Sequence, residues 1–220
     1  MSVWAVIVAA GRGERLGLDR PKAFAGLNGR PLLAESLERL ERSDWVDSIV
    51  VAAPPDWEEP VILLAEELGC GKVVAAVPGG ASRAASVRAG LAEVPDDSAV
   101  TLVHDAARPV LPEEVIERLM TALNEGWDGV VPGMPVADTV KRVDGDQVVA
   151  TVDRETLIGA QTPQAFVSST LRDAAASGED ATDCAALVEA RGGRIKVVAG
   201  DRRLMKITEP GDLELAATWL

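Results

Sequence analysis

Val3-Trp4-Ala5-Val6-Ile7-Val8-Ala9-Ala10-Gly11-Arg12-Gly13-Glu14-Arg15-Leu16-Gly17 is the stretch that decides the fold. Its first half is an unbroken apolar run, rich in β-branched side chains, with no polar face to turn toward water. Such a run reads as a strand buried on both sides, as parallel strands tend to be. Its second half is a glycine loop. Glycines directly after a strand let backbone N–H groups close on a phosphate chain without interference from Cβ atoms. Arg12, Arg15, Arg20 and Lys22 add positive charge there. Two better-known loops are excluded. The dinucleotide fingerprint needs a glycine where Leu16 stands and an acidic residue after the second strand, which instead runs into Ala52-Ala53-Pro54. A P-loop needs Gly-Lys-Ser/Thr, and this loop has none. Taken alone, the segment reads equally as a phosphate cradle and as a solvated turn with surface arginines.

The same apolar rhythm recurs at 48–53, 72–77, 99–103 and 129–131. Between these runs lie amphipathic stretches. Residues 31–42 place Leu33, Leu37 and Leu40 on one face, and residues 112–125 gather Val115, Leu119 and Leu123 behind Pro112 at a first helical turn. The alternation predicts an α/β fold, a mostly parallel twisted sheet with helices on both faces. After Asp138 the rhythm changes. Two short strands, 139–143 and 147–152, flank the turn signal Asp144-Gly145 and predict a projecting β-hairpin arm at about 138–160. Helices are expected near 168–177, 183–191 and 211–220, and late strands at 194–198 and 204–207. Residues 1–220 then form one domain.

Charge and composition narrow the function. The chain carries 22 Lys and Arg against 35 Asp and Glu, a net charge of −13, which argues against nucleic acid or anionic membrane as partner. Cys70 and Cys184 are isolated from one another and His104 is the single histidine, so neither a disulfide framework nor a zinc site is indicated. The N-terminal apolar run is too short to span a membrane and lacks the basic start of a signal peptide, so a cytoplasmic setting is expected.

Three segments carry chemistry. The first is the glycine loop with Pro21-Lys22. The second, Pro78-Gly79-Gly80-Ala81-Ser82-Arg83-Ala84-Ala85-Ser86, leads from a strand into a helix ending near Leu91. Its glycines place backbone near a ligand, and the Ser86 hydroxyl suits a base edge; the plainer reading is a helix capped by Ser82. The third is His104-Asp105-Ala106-Ala107-Arg108-Pro109. An aspartate at a strand tip with an arginine close behind suits Mg²⁺ and phosphate; the plainer reading makes Asp105 a helix cap paired with Arg108. His104, with no nucleophile pattern around it, reads as structural.

Together these segments resemble the 2-C-methyl-D-erythritol 4-phosphate cytidylyltransferase family. The resemblance rests on Ala-Ala-Gly-x-Gly-x-Arg with Pro-Lys, Gly-Gly-x-x-Arg-x-x-Ser-Val and His-Asp-Ala-Ala-Arg-Pro. Asp-Thr-x-Lys, Thr-Val-Asp-Arg, Thr-Pro-Gln and a late Lys-Ile-Thr complete it, in order from Ala9 onward. It implies a Rossmann-like nucleotidyltransferase domain joining CTP to a phosphorylated polyol. By resemblance, Arg15, Lys22 and Lys206 are catalytic. Ala9, Ala10, Gly11, Gly13, Gly80, Ala81, Ser86 and Ala106 receive the nucleotide, and Asp105 holds Mg²⁺ or another divalent cation. Asp105, Arg108, Thr139 and Arg154 hold 2-C-methyl-D-erythritol 4-phosphate. The family's arm reaches across a homodimer, so Thr139 and Arg154 would serve the partner's site. Two departures stand out: Ala81 and Ser82 replace frequent acidic residues, and Cys184 stands where Glu is usual. A ribitol 5-phosphate cytidylyltransferase is the near alternative; a sugar-1-phosphate nucleotidyltransferase using another base and a non-catalytic nucleotide-binding regulatory module are more distant ones.

The implied reaction fits the residue inventory. A phosphate monoester with its second pKa at about 6 is mostly dianionic at neutral pH and needs no general base to attack phosphorus. What it needs is positive charge and alignment.

Overall fold

The apolar runs pair as their composition demands. The structure, a computed structural model, describes residues 2–17 and 19–220. Strands β1 (Val3–Val8), β4 (Ser48–Ala53), β5 (Val73–Pro78) and β6 (Val100–Asp105) form a parallel block in the order β5-β4-β1-β6. Beyond β6 the sheet continues through β11 (Gln164–Val167) and β7 (Gly129–Pro135), with β10 (Ile158–Ala160) and β12 (Ile195–Ala199) also on β7. β10 and β11 run against the rest, so the sheet is mixed and mostly parallel. A small antiparallel pair, β2 (Gly26–Leu27) and β3 (Arg30–Pro31), follows the glycine loop.

Both faces of the sheet are covered, which is why its strands are apolar on both sides. Successive residues of β1 divide between the faces by the two-residue period of a strand. Ala5 and Ile7 join Ile49 and Val51 against Leu33, Leu37 and Leu40 of α1 (Leu32–Arg42) and Val115, Ile116 and Leu119 of α4 (Glu113–Leu123). The α2 helix (Glu58–Glu67) adds Val61 and Ala65 to that layer. Val6, one residue along, faces Val87 and Leu91 of α3 (Arg83–Leu91), Leu171 of α5 (Ser168–Ala175) and Val188 of α6 (Cys184–Glu189). A third, smaller cluster joins Leu16 and Leu27 to Ile207 and to Ala216 of α7 (Pro210–Ala217).

Residues 138–160 contain the expected hairpin: β8 (Val140–Asp144) and β9 (Gln147–Val152) form a two-stranded sheet of their own around Gly145, whose φ is +54°. Val143, Val148 and Val149 on it are more than half exposed. One expected strand does not form. Residues 204–207 close a short 3₁₀ turn, Arg202–Leu204, and run on without pairing. Leu204 and Ile207 are fully buried, which gives the segment its strand-like pattern, but Leu204 packs in the larger core and Ile207 in the small cluster.

Candidate active site

A cleft of about 1060 Å³ opens at the C-terminal ends of β1, β4, β5 and β6. This is where parallel α/β sheets bind ligands, because the loops leaving neighbouring strands diverge there. One wall is the glycine loop. Gly13 has φ +69°, and a Cβ there would sit 2.8 Å from the Lys22 Cβ, so only glycine lets the chain fold back on itself at this point. The Lys22 N–H donates to the Gly11 carbonyl at 3.3 Å, closing the loop. The Lys22 ammonium is pushed down to about 8, by burial first and then by the like charges of Lys206 and Arg15. Three cations are therefore held near one another, of which Lys206 is paired with a carboxylate, that of Asp105. Arg15 is exposed and Arg20 is spent on the neighbouring, exposed Asp19.

The facing wall is tightly built. A Cβ at Gly79 would lie 2.3 Å from the Ala10 Cβ, and one at Gly80 would lie 2.4 Å from the Ala85 Cβ. The Ser86 hydroxyl accepts from the Gly80 N–H at 3.1 Å and donates to the Ser82 carbonyl at 3.0 Å. Ser82 caps α3 by accepting from the Ala85 N–H at 3.2 Å, and its hydroxyl also meets the Asp180 carboxylate. The cap expected at Ser82 is present. Ser86, expected to meet a base edge, lines the cleft while bracing the loop.

The floor is the end of β6, where consecutive residues face opposite ways. His104 is fully buried. Its Nε2–H donates to the Arg108 carbonyl at 3.1 Å, and its Nδ1 faces the Thr162 hydroxyl at 3.4 Å. Burial, the largest influence on it, pushes the imidazole down to about 4, so it is neutral and committed, as a structural histidine should be. Asp105 faces the cleft. Its Oδ1 accepts from Arg83 Nε at 3.0 Å and its Oδ2 from Lys206 Nζ at 2.8 Å. Burial alone would raise this carboxyl; Arg83 and Lys206 outweigh it and hold the group well below the usual range. The Asp105 carboxylate thus neither caps a helix nor pairs with Arg108, the plainer reading of the segment; the Arg108 N–H donates instead to the Asp105 carbonyl at 2.9 Å. Arg108 turns away, donating to the carbonyls of Leu204 and Ala160.

Of the residues singled out from sequence, Ala9, Ala10, Gly11, Gly13, Arg15, Lys22, Gly80, Ala81, Ser86, Asp105, Ala106 and Lys206 line this one cleft. Thr139 and Arg154 do not; both are exposed on the hairpin region, where Arg154 donates to the Ala137 carbonyl. Sequence reasoning passed over two contributors. Trp57 lines the mouth behind Pro54 and Pro55 and packs on Phe24 with ring centroids 4.5 Å apart, bracing the turn that carries Lys22. Arg83, the arginine of the Gly-Gly-x-x-Arg-x-x-Ser-Val pattern, bridges the second and third segments, although the sequence reading gave it no role. Among the described residues no group of three or more Asp, Glu, His or Cys gathers around a point that could hold a metal.

The family model described as IspD, 2-C-methyl-D-erythritol 4-phosphate cytidylyltransferase, matches residues 3–220. This chain belongs to that family. Curated 2-C-methyl-D-erythritol 4-phosphate cytidylyltransferases resemble it over their length. The one from Saccharopolyspora erythraea is 48% identical over 222 residues, covering 98% of each chain. The one from Nocardia farcinica is 47% identical over 220 residues, covering 100% of this chain and 94% of the relative. Among solved structures, the 2-C-methyl-D-erythritol 4-phosphate cytidylyltransferase of Thermus thermophilus superposes with a TM-score of 0.80 at 34% identity, over 97% of this chain and 96% of that one. The family and the α/β fold expected from sequence are both borne out.

Proposed function

We propose that this protein transfers CMP from CTP to 2-C-methyl-D-erythritol 4-phosphate, releasing pyrophosphate and forming 4-diphosphocytidyl-2-C-methyl-D-erythritol. The observation that carries this reading is the convergence of Lys22, Arg15, Lys206 and Asp105 with two glycine walls in one cleft of a chain of this family.

The residues divide the work. The tight wall of Gly79, Gly80 and Ala81, faced by Ala9 and Ala10, receives cytosine and ribose by backbone contact. Gly11 and Gly13 turn backbone toward the triphosphate. Arg15 and Lys22 neutralise charge that grows on the α-phosphoryl oxygens and the departing pyrophosphate, in positions fixed before the substrate arrives. Lys206 draws in the acceptor phosphate, whose oxygen attacks the α-phosphorus in line with the leaving group. No group in the cleft needs to take a proton, since the acceptor arrives as a dianion. That suits a site whose hydroxyls are engaged and whose histidine is buried.

Asp105, an ionised carboxylate in the cleft lining, would hold a Mg²⁺ ion through the oxygen that Lys206 gives up, since a hard cation takes carboxylate oxygen. Such an ion would supply further charge neutralisation. Thr139 and Arg154 are assigned to a second copy's cleft, reached by the hairpin in a homodimer. Their distance from this chain's own cleft and the exposed valines of the hairpin support that reading. Substrates of this kind dissolve in water, and no helix among the described residues is long and apolar enough to cross a membrane, so the cytoplasm is the proposed setting.

The test is pyrophosphate release by the purified protein with CTP and Mg²⁺, with methylerythritol phosphate and ribitol 5-phosphate compared as acceptors. Turnover with the former supports the proposal, and turnover with ribitol 5-phosphate alone overturns it. For the arm, Arg154→Ala should raise the acceptor KM well above its effect on the CTP KM; unchanged acceptor kinetics would remove Arg154 from the site.

A further inference from the structure

The Asp105 carboxylate is shared by two cations that come from opposite ends of the cleft. Arg83 is the first residue of α3, on the base-side wall, and Lys206 lies in the unpaired segment after the last 3₁₀ turn. Their exposures differ. The side chain of Arg83 keeps 19% of its surface accessible and that of Asp105 8%, whereas Lys206 keeps 44%. Arg83 is also short of partners. Its Nη1 reaches only the Cys184 sulfur, at 3.5 Å, and its Nη2 is buried with no hydrogen-bond partner. A thiol at 184, in place of a carboxylate, leaves Asp105 as the anion within reach of this guanidinium.

We propose that Arg83 is a positioning residue that balances the charge of Asp105 and so leaves Lys206 free to leave the carboxylate for a phosphate. The charge count makes the point. Arg83, Asp105 and Lys206 together carry one net positive charge, and the buried Arg83 stays fixed while the half-exposed Lys206 can exchange partners. Without Arg83, Asp105 and Lys206 become a neutral, partly buried pair. Separating them to bind an anion would strand a buried carboxylate with no hydrogen-bonded cation and only the more distant charges of Arg108 and Lys22, which is costly. Lys206 would be locked in the pair and lost to the substrate. Arg83 belongs to the same turn of chain as Gly79, Gly80 and Ser82, so the wall assigned to the base also sets the charge of the floor.

The proposal rests on the cleft being an anion site, and deepens the transfer reading without needing turnover to be tested. The probe is inorganic phosphate, standing for the acceptor's phosphate group that Lys206 is assigned, titrated calorimetrically into the full chain without divalent metal. Arg83→Gln keeps an N–H for Asp105 but removes the charge, and should weaken phosphate binding about 10–100-fold, the range found when a partner that orients a metal ligand is lost. Arg83→Lys should recover most of that affinity. The loss in Arg83→Gln/Lys206→Met should be no greater than in Lys206→Met alone, because the two act through one contact. Asp105→Asn, which frees Lys206 by another route, should bind phosphate more tightly than the native protein, and Arg83→Gln added to it should cause no further loss; that pair strands no buried carboxylate, so it decides the matter even if Arg83→Gln alone does not fold. Native affinity in folded Arg83→Gln, additive losses in the double variant, or no gain in Asp105→Asn would each overturn the proposal. Failure of the native protein to release pyrophosphate from CTP would sink the transfer reading and leave these titrations interpretable.

Discussion

The two glycine walls of the cleft are built on opposite principles. Gly79 and Gly80 are both required by contact, the hydroxyls of Ser82 and Ser86 are engaged, and α3 is capped. Around Gly11 the chain is open, and Lys22 loses part of its affinity for a proton, to burial first and then to the like charges of Lys206 and Arg15. A neutral base is bound by shape, which can be set in advance at no electrostatic cost. A polyphosphate is bound by charge, and uncompensated charge is uncomfortable until the ligand arrives. Stability is concentrated on one wall and reactivity on the other.

Breaking the charged wall should have the largest consequence. Lys22→Ala should lower kcat about 10²–10³-fold, the usual result of losing one preorganised charge contact, while the circular dichroism spectrum stays native. Near-native turnover would remove Lys22 from the mechanism. Overfilling the tight wall should act on stability instead. In Gly79→Ala the new methyl meets the Ala10 Cβ, the Ala53 carbonyl and the Ser86 hydroxyl. Overpacking of this kind costs about 1–3 kcal/mol in urea unfolding, and an unchanged midpoint would mean the wall is looser than described. Removing the cap by Ser82→Ala should cost about 1 kcal/mol in the same measurement.

The smallest effect sharpens the contrast most. The folded Lys22 has its pKa lowered from 10.5 to about 8, so between those values the unfolded chain binds more protons and stability rises with pH. Lys22→Met, which keeps the apolar stem, should therefore be more stable than the native protein below about pH 8. The gap should narrow as pH climbs toward 10.5. A native protein that is more stable than the variant at pH 7, without ligand, would contradict the picture of a strained charged wall.

The same division explains what could be read from the sequence. The apolar runs told that strands are covered on both faces, and the glycines marked where the chain must pass close to something. The short strands at Ile158–Ala160 and Gln164–Val167 escaped because one is exposed and contains glycine, and the other begins on a glutamine; their strand character comes from pairing with β7 and β6. Residues 204–207 misled for the converse reason, since their two buried side chains, Leu204 and Ile207, belong to two separate clusters. The pairing of Arg83 with Asp105 spans 22 positions and that of Lys206 spans 101. Neither spacing follows a helical or strand period, so only the assembled fold brings these charges together.

The small cluster of Leu16, Leu27, Ile207 and Ala216 has a consequence for the order of events during synthesis. A ribosome delivers Leu16 and the cationic loop well before Ile207 and Ala216. Domains fold as their segments emerge, and the sheet can gather β1, β4, β5 and β6 long before the loop beside Leu16 has its final support. The nascent chain should therefore acquire its scaffold first and its grip on polyphosphates later.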